Sequence, residues 1–151
     1  MIDYITITQK IKDTLLLEPF INKVTKGNLD DIANAKREEY GLAHIIMNNC
    51  TPNKNALTYN VSIICMDIVD IAKDETTDTF VGNSNEDFVL NEMHLVCLRM
   101  YELLRRGDLY SELYQLGGSV SLEPFTDRFE DFVAGWTLTL DIEVPNQMTV
   151  C

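Results

Sequence analysis

The stretch Gly135-Trp-Thr-Leu-Thr-Leu-Asp-Ile-Glu-Val-Pro145 decides the reading of this chain. From Trp136 to Val144 it alternates strictly. Trp136, Leu138, Leu140, Ile142 and Val144 fall on one side, and Thr137, Thr139, Asp141 and Glu143 on the other. Side chains two residues apart share a strand face, so this pattern predicts a strand with one apolar and one polar face. Pro145 lacks the N–H needed to extend a ladder and marks its end. A closing strand of this kind, entered through a glycine and the sole tryptophan, predicts a sheet with one covered face. The other face is left for water or a neighbour.

Working outward, a second well-marked element precedes it. Asn85 is an N-cap candidate, and Glu86 and Asp87 suit the positive end of a helix. Val89, Met93, Val96, Met100 and Leu103 then form one stripe, widened by Leu90, Cys97, Tyr101 and Leu104. Arg105 and Arg106 suit the negative end, with Gly107 as the stop. So broad an apolar face predicts a helix lying across a sheet. Between the two, Asp108–Leu116 reads as a connector and Ser119–Leu122 as a short strand. Phe125, Phe129 and Phe132, interleaved with charges around Arg128, read equally as a satellite core or as a subunit contact.

Toward the N-terminus, Ile7, Ile11 and Leu15 lie on one helical stripe. Thr6 and Gln9 have capping-box spacing, and the helix is expected to stop before Pro19. Residues 20–30, with Val24, Gly27 and Asn28, read as a short strand and turn, and the charged stretch 33–39 as an exposed arm. Leu42–Met47 is an apolar strand, Thr51–Asn55 a turn, and Leu57–Cys65 a second alternating strand, so the two predict a hairpin. From Ile64 to Ile71 both faces become apolar, as in a strand covered on two sides. Asp70–Asp87 is a long acidic connection, of a length that is usually functional or packed against a partner. The expected class is α+β: a mostly antiparallel sheet covered on one face by an N-terminal helix and one long helix, in a single domain spanning 1–151.

Composition narrows the function. At 46% apolar and 24% charged, the 151 residues suit one globular core. The net charge of −12, from 12 basic and 24 acidic residues, argues against a phosphate-gripping nucleic-acid binder. It is compatible with an acidic wall that DNA merely passes. Met1-Ile-Asp-Tyr-Ile-Thr has no basic and apolar leader pattern, and no apolar run nears the ~18 residues of a membrane span. Cys50, Cys65, Cys97 and Cys151 show no paired spacing, and Cys65 and Cys97 sit in apolar stretches as small core residues. The sequons at Asn49 and Asn60 have no secretory context to support them.

Chemistry is sparse. His44 and His94 lie within apolar elements and read as structural polar groups. No phosphate loop, nucleophile elbow or HExxH motif occurs, and Gly117-Gly118-Ser119 is a turn. Asp67 and Asp70, followed by Asp74, Glu75 and Asp78, offer oxygen ligands for a hard cation but lack calcium-loop order. They read as a solvated or interface loop. No cofactor is expected.

The segments Leu42-Ala-His-Ile-Ile-Met-Asn-Asn49, Val61-Ser-Ile-Ile-Cys-Met-Asp-Ile-Val-Asp70, Tyr101-Glu-Leu-Leu-Arg-Arg-Gly107 and Asp127-Arg-Phe-Glu-Asp-Phe-Val-Ala-Gly-Trp136 together carry a resemblance. Running from roughly residue 5 to 150, the chain resembles small neck and tail virion proteins of tailed bacteriophages, most similarly those of crAss-like and related phages of Bacteroidetes. Its element order resembles the tail terminator, a small α+β subunit of the ring at the head–tail junction. The resemblance implies a non-enzymatic structural protein of the virion, assembled in the host cytoplasm. It implies a homo-oligomeric ring between portal-side neck proteins and the tail, with DNA passing through the lumen. Subunit contacts are expected at Asp74, Glu75, Asp78 and Arg128, and on the polar strand face of Thr137, Thr139, Asp141 and Glu143. Two other readings stay open. One is a metal-dependent hydrolase using Asp67, Asp70 and His44, and the other a small acidic inhibitor or adaptor.

Overall fold

The computed structural model describes residues 4–28, 41–70, 80, 82, 85–106, 115–126 and 133–146. In chain order these form helix α1 (Tyr4–Leu16), strands β1 (Lys23–Lys26), β2 (Leu42–Pro52) and β3 (Ala56–Ile68), helix α2 (Glu86–Arg106), and strands β4 (Gln115–Leu116), β5 (Ser121–Thr126) and β6 (Val133–Pro145). The class is α+β, as the sequence predicts.

One sheet holds all six strands in the order β1-β2-β3-β6-β4, with β5 pairing β6 beside β4. Every pairing is antiparallel except β1 with β2. The hairpin of β2 and β3 forms, and its turn is closed by Asn53, whose Oδ1 accepts from the amides of Asn55 and Ala56. β6 lies antiparallel along the whole of β3, from Ala56↔Pro145 to Ile68↔Val133. The closing strand is therefore central. Its inner neighbour is β3, and its outer side is shared between β5 at Ala134–Thr139 and β4 at Ile142–Glu143.

The apolar stripes pack as their periods require. Ile7, Ile11 and Leu15 of α1 and Val89, Met93, Val96, Cys97, Met100 and Leu104 of α2 join Ala43, Ile45, Val61, Ile63 and Cys65 in one core. From β6 this core takes Ala134, Leu138, Leu140, Ile142 and Val144. Leu138 and Leu140 are fully buried; at about 25 cal/mol per Å², such side chains each contribute about 2 kcal/mol. Trp136 borders this core and donates from Nε1 to the Leu90 carbonyl at 2.9 Å, with its ring 4.6 Å from that of His94.

Two local readings are corrected, and the Asn85 cap forms through the backbone. The first helix runs from Tyr4, so Thr6 lies within its first turn and not at a cap, and Gln9 donates to Asp13 at 2.8 Å. Asn85 caps α2 through its backbone, accepting from Val89 N at 3.0 Å. Its side chain accepts from Asp70 N at 2.7 Å, while Asn85 N donates to the Asp70 carbonyl at 3.1 Å, so Asn85 clamps the start of α2 to the end of β3. Leu103 lies 41% exposed at the rim of the stripe, because Leu104, one turn beyond Met100, takes the core position.

The second face of the sheet is divided. At one end Leu42, Ile64, Met66 and Val133 are buried, with Ile46, Ile68 and Phe125 packed against them. This bears out a β3 end covered on two sides, and it covers one end of the face expected to be left open, beyond the polar residues of β6. Gly135 sits at this end opposite Met66. A Cβ there would collide with the Cys65 carbonyl, so the close approach of β3 and β6 requires glycine.

Candidate subunit interface

The other end of that second face is polar, and its side chains are fixed by one another. Register places Thr137 beside Ile64, Thr139 beside Ser62, Asp141 beside Asn60 and Glu143 beside Thr58. Asn60 Nδ2 donates to Asp141 Oδ1 at 2.7 Å, and Ser62 Oγ lies 3.2 Å from Thr139 Oγ1. Gln115 of β4 donates from Nε2 to Glu143 Oε2 at 3.1 Å. On the far side, Asn48 Nδ2 bridges Asn60 Oδ1 and Ser62 Oγ, both at 2.8 Å. The result is a hydrogen-bonded ladder from β2 across β3 to β6, continued at its Glu143 end to β4.

Asn48 shares the parity of Leu42, His44 and Ile46 and so lies on this face, where the register shifts between Met47 and Asn49. An extra residue in one strand of an antiparallel pair bends it and re-aims a side chain. Both amide protons of Asn48 are then spent on the ladder. The carboxylates of Asp141 and Glu143 each retain acceptor capacity, because a carboxylate offers about four lone-pair sites. Each is half-buried. A partner would therefore meet a row of short, already ordered polar groups, with little side-chain entropy left to lose.

Of the residues expected to make subunit contacts, the structure brings Thr137, Thr139, Asp141 and Glu143 into one row. Thr137 lies at the boundary with the apolar end. Asp74, Glu75, Asp78 and Arg128 lie outside the described residues, as do Phe129 and Phe132. Sequence reading missed Asn48, Asn60, Ser62 and Gln115. The alternation of Asn60 and Ser62 with Val61 and Ile63 carried the signal for two of them. For Asn48 the signal was its parity with Leu42, His44 and Ile46 on the same strand.

The residues of the hydrolase reading are kept apart. His44 pairs with Ile64 on the second face, whereas Asp67 has the parity of Cys65 and Ile63, on the helix-covered side. His44 is fully buried, with Nε2 3.0 Å from the Asn28 carbonyl and Nδ1 2.7 Å from Thr25 Oγ1. A carbonyl only accepts, so Nε2 carries a proton; in the neutral ring Nδ1 accepts from the threonine hydroxyl. Asp67 Oδ1 accepts from the adjacent Ile68 amide at 2.8 Å. Burial pushes its carboxyl above the usual range; the Ile68 hydrogen bond opposes this, and the Asp70 charge adds to it. Among the described residues no group of three His, Cys, Asp or Glu side chains is placed to hold a metal ion.

Cys65 and Cys97 are buried thiols, as expected, while Cys50 is exposed. A hydrogen bond to Cys97 and complete burial hold the Cys65 thiol well above the usual range, with the nearby Cys97 and Glu18 acting in the same sense. Cys97 in turn points its sulfur at the Trp136 carbonyl, 3.9 Å away.

No protein-family model matches the chain, and no curated protein does. No helix among the described residues is long and apolar enough to cross a membrane.

Proposed function

We propose that this chain is a structural assembly subunit: a small virion protein that forms a homo-oligomeric ring at the head–tail junction of a tailed phage, as a tail terminator or neck connector. It joins the tail to portal-side neck proteins, and DNA passes through its lumen without specific binding. The observation that carries this reading is the ladder of Asn48, Asn60, Ser62, Thr139 and Asp141. Such a row presents pre-ordered polar groups on a sheet surface, which suits protein–protein docking. It offers no activated nucleophile, and the one histidine on this face is buried with both ring nitrogens engaged.

The charge supports the same reading. A net charge of −12 keeps free subunits soluble and gives a ring lumen that repels DNA. Native mass spectrometry and electron microscopy of the purified chain, and of virions carrying a tagged copy, test the proposal. A closed ring, with the tag at the neck, is expected. A stable monomer that binds a stoichiometric metal ion, or that binds a basic protein instead of its own copies, would overturn it.

A further inference from the structure

Helix α2 is apolar on more than the side it buries. Its inner stripe fills the core, yet Phe88, Leu95 and Leu103 stand outside it, 67%, 41% and 41% exposed. Steps of seven and eight residues are close to two turns of 3.6, so the three form a second row along the outer surface, about 22 Å long at 1.5 Å per residue. Arg99, one turn from both Leu95 and Leu103, pairs with Glu18 at 3.0 Å and so brings the exposed Leu17 to the flank of this row. Exposed leucines scattered singly need no explanation, but a continuous row marks an interaction surface.

The charges along the helix are ordered by sign. Glu86, Asp87 and Glu92 lie in its first half; Arg99 and Arg105 lie in its second, where Glu102 is held by Arg105 at 2.9 and 3.1 Å. Arg99 spends Nη1 on Glu18 but remains 53% exposed, and a guanidinium carries five donors, so it can take a second carboxylate. Four acidic and three basic residues make α2 nearly neutral, in a chain with 24 and 12. This face is therefore spared much of the self-repulsion of the whole.

Turned end for end, the row matches itself. A two-fold axis crossing α2 between Leu95 and Val96 sets Phe88 opposite Leu103 of a second copy and Leu95 against its own counterpart. Glu92 and Arg99, seven residues apart, lie on one flank, and the same axis sets each opposite the other. The two helix dipoles then oppose each other as well. A parallel pairing would put Glu92 on Glu92 and Arg99 on Arg99.

We infer that the outer face of α2 is a two-fold contact between copies of this chain, with the two helices antiparallel. The contact goes beyond the ring reading and does not rest on it. Helix α2 and the ladder lie on opposite faces of the sheet, so one subunit can make both contacts. Together they would set two rings back to back.

Cysteines placed along the row test the geometry. L95C, F88C and L103C are made in a background carrying Cys50→Ser and Cys151→Ser, and circular dichroism checks that each folds as the wild type does. Each is treated with a short bifunctional thiol reagent and run on a denaturing gel. L95C is expected to link to itself. F88C alone and L103C alone are not, since the axis holds each about 22 Å along the helix from its own counterpart, but an equimolar mixture of the two links. No link from L95C assigns the row to some other partner and overturns the contact, and so does self-linking of F88C.

Sedimentation velocity separates this contact from the ring. Leu95→Glu sets two carboxylates against each other at the axis and is expected to halve the mass of what the wild type forms. A high-mass species closed through the ladder face persists at half its mass. Unchanged mass in folded L95E overturns the two-fold contact and leaves the ring reading standing. A wild type that is monomeric at every concentration overturns both.

Discussion

Asn60 and Asp141, 81 residues apart in sequence, are joined by a 2.7 Å hydrogen bond from Nδ2 to Oδ1 across the two longest-paired strands. The same asparagine accepts from Asn48 at 2.8 Å, so a single side chain ties three strands together on the open half of the sheet. Asp141→Ala is expected to cost about 1 kcal/mol, the net worth of one such bond. Asp141→Asn is expected to cost less, since its amide oxygen still accepts. Urea denaturation of the two variants, with Asn60→Ala completing a double-mutant cycle, measures the coupling. A coupling near zero would mean that the contact contributes nothing to the fold.

Thr139 lies in the middle of the ladder and takes part in the fold through one hydroxyl contact. Thr139→Arg is expected to change stability by no more than about 1 kcal/mol, as replacements on half-buried strand faces usually do. If the ladder face docks a neighbour, the long cation abolishes the high-mass species. Thermal melting and sedimentation read separately distinguish the two effects. Unchanged assembly in a stable variant would remove this face from the interface.

Gly135 faces the Cys65 carbonyl at backbone distance. Gly135→Ala is expected to destabilise by at least about 1–3 kcal/mol, because the methyl group forces β3 and β6 apart in the centre of the sheet. Guanidinium denaturation gives the value. A neutral result would show that the two strands separate freely at this point.

Asp67 has its carboxyl pKa raised by burial, with the Asp70 charge acting in the same direction. The folded state therefore binds a proton more readily than the unfolded chain. The contribution of this group to stability is fully present below the ordinary carboxylate pKa and is lost as pH rises through the raised folded-state value. Asp67→Asn is expected to raise the melting temperature at neutral pH and to leave it nearly unchanged in acid. The asparagine oxygen can still accept from the Ile68 amide. The difference in melting temperature as a function of pH is the measurement, and a flat difference contradicts it.

Cys50 is an exposed free thiol, whereas Cys65 and Cys97 are buried free thiols. Of these three, Cys50 is expected to react with a thiol reagent in native buffer, and the other two only in denaturant, since burial keeps the reagent from them. Peptide mapping after labelling identifies the sites. Rapid labelling of Cys65 would mean that the core opens locally between β3 and α2.

Residues 136–144 specified by their alternation alone a strand with one apolar and one polar face, because a period of two has a single geometric meaning in extended backbone. The stripe from Val89 to Leu104 specified a helix on a sheet for the same kind of reason, and two isolated histidines pointed away from catalysis. What these patterns left open is where each strand sits and which part of its polar face stays wet. Pairing along the whole of β3 made β6 a central strand, although its amphipathic pattern is equally suited to an edge. The burial of Leu42, Ile64, Met66 and Val133 covered one end of a sheet face whose other end is polar. Asn48 joined Asn60 and Ser62 only once β2 had paired with β3, and Lys12 and Lys26, on different elements, line one cleft only when α1 packs beside β1. Local periodicity is set by backbone geometry within a few residues. Register, bulges and the meeting of distant charges depend on contacts across tens of residues, and those exist only once the chain has closed on itself.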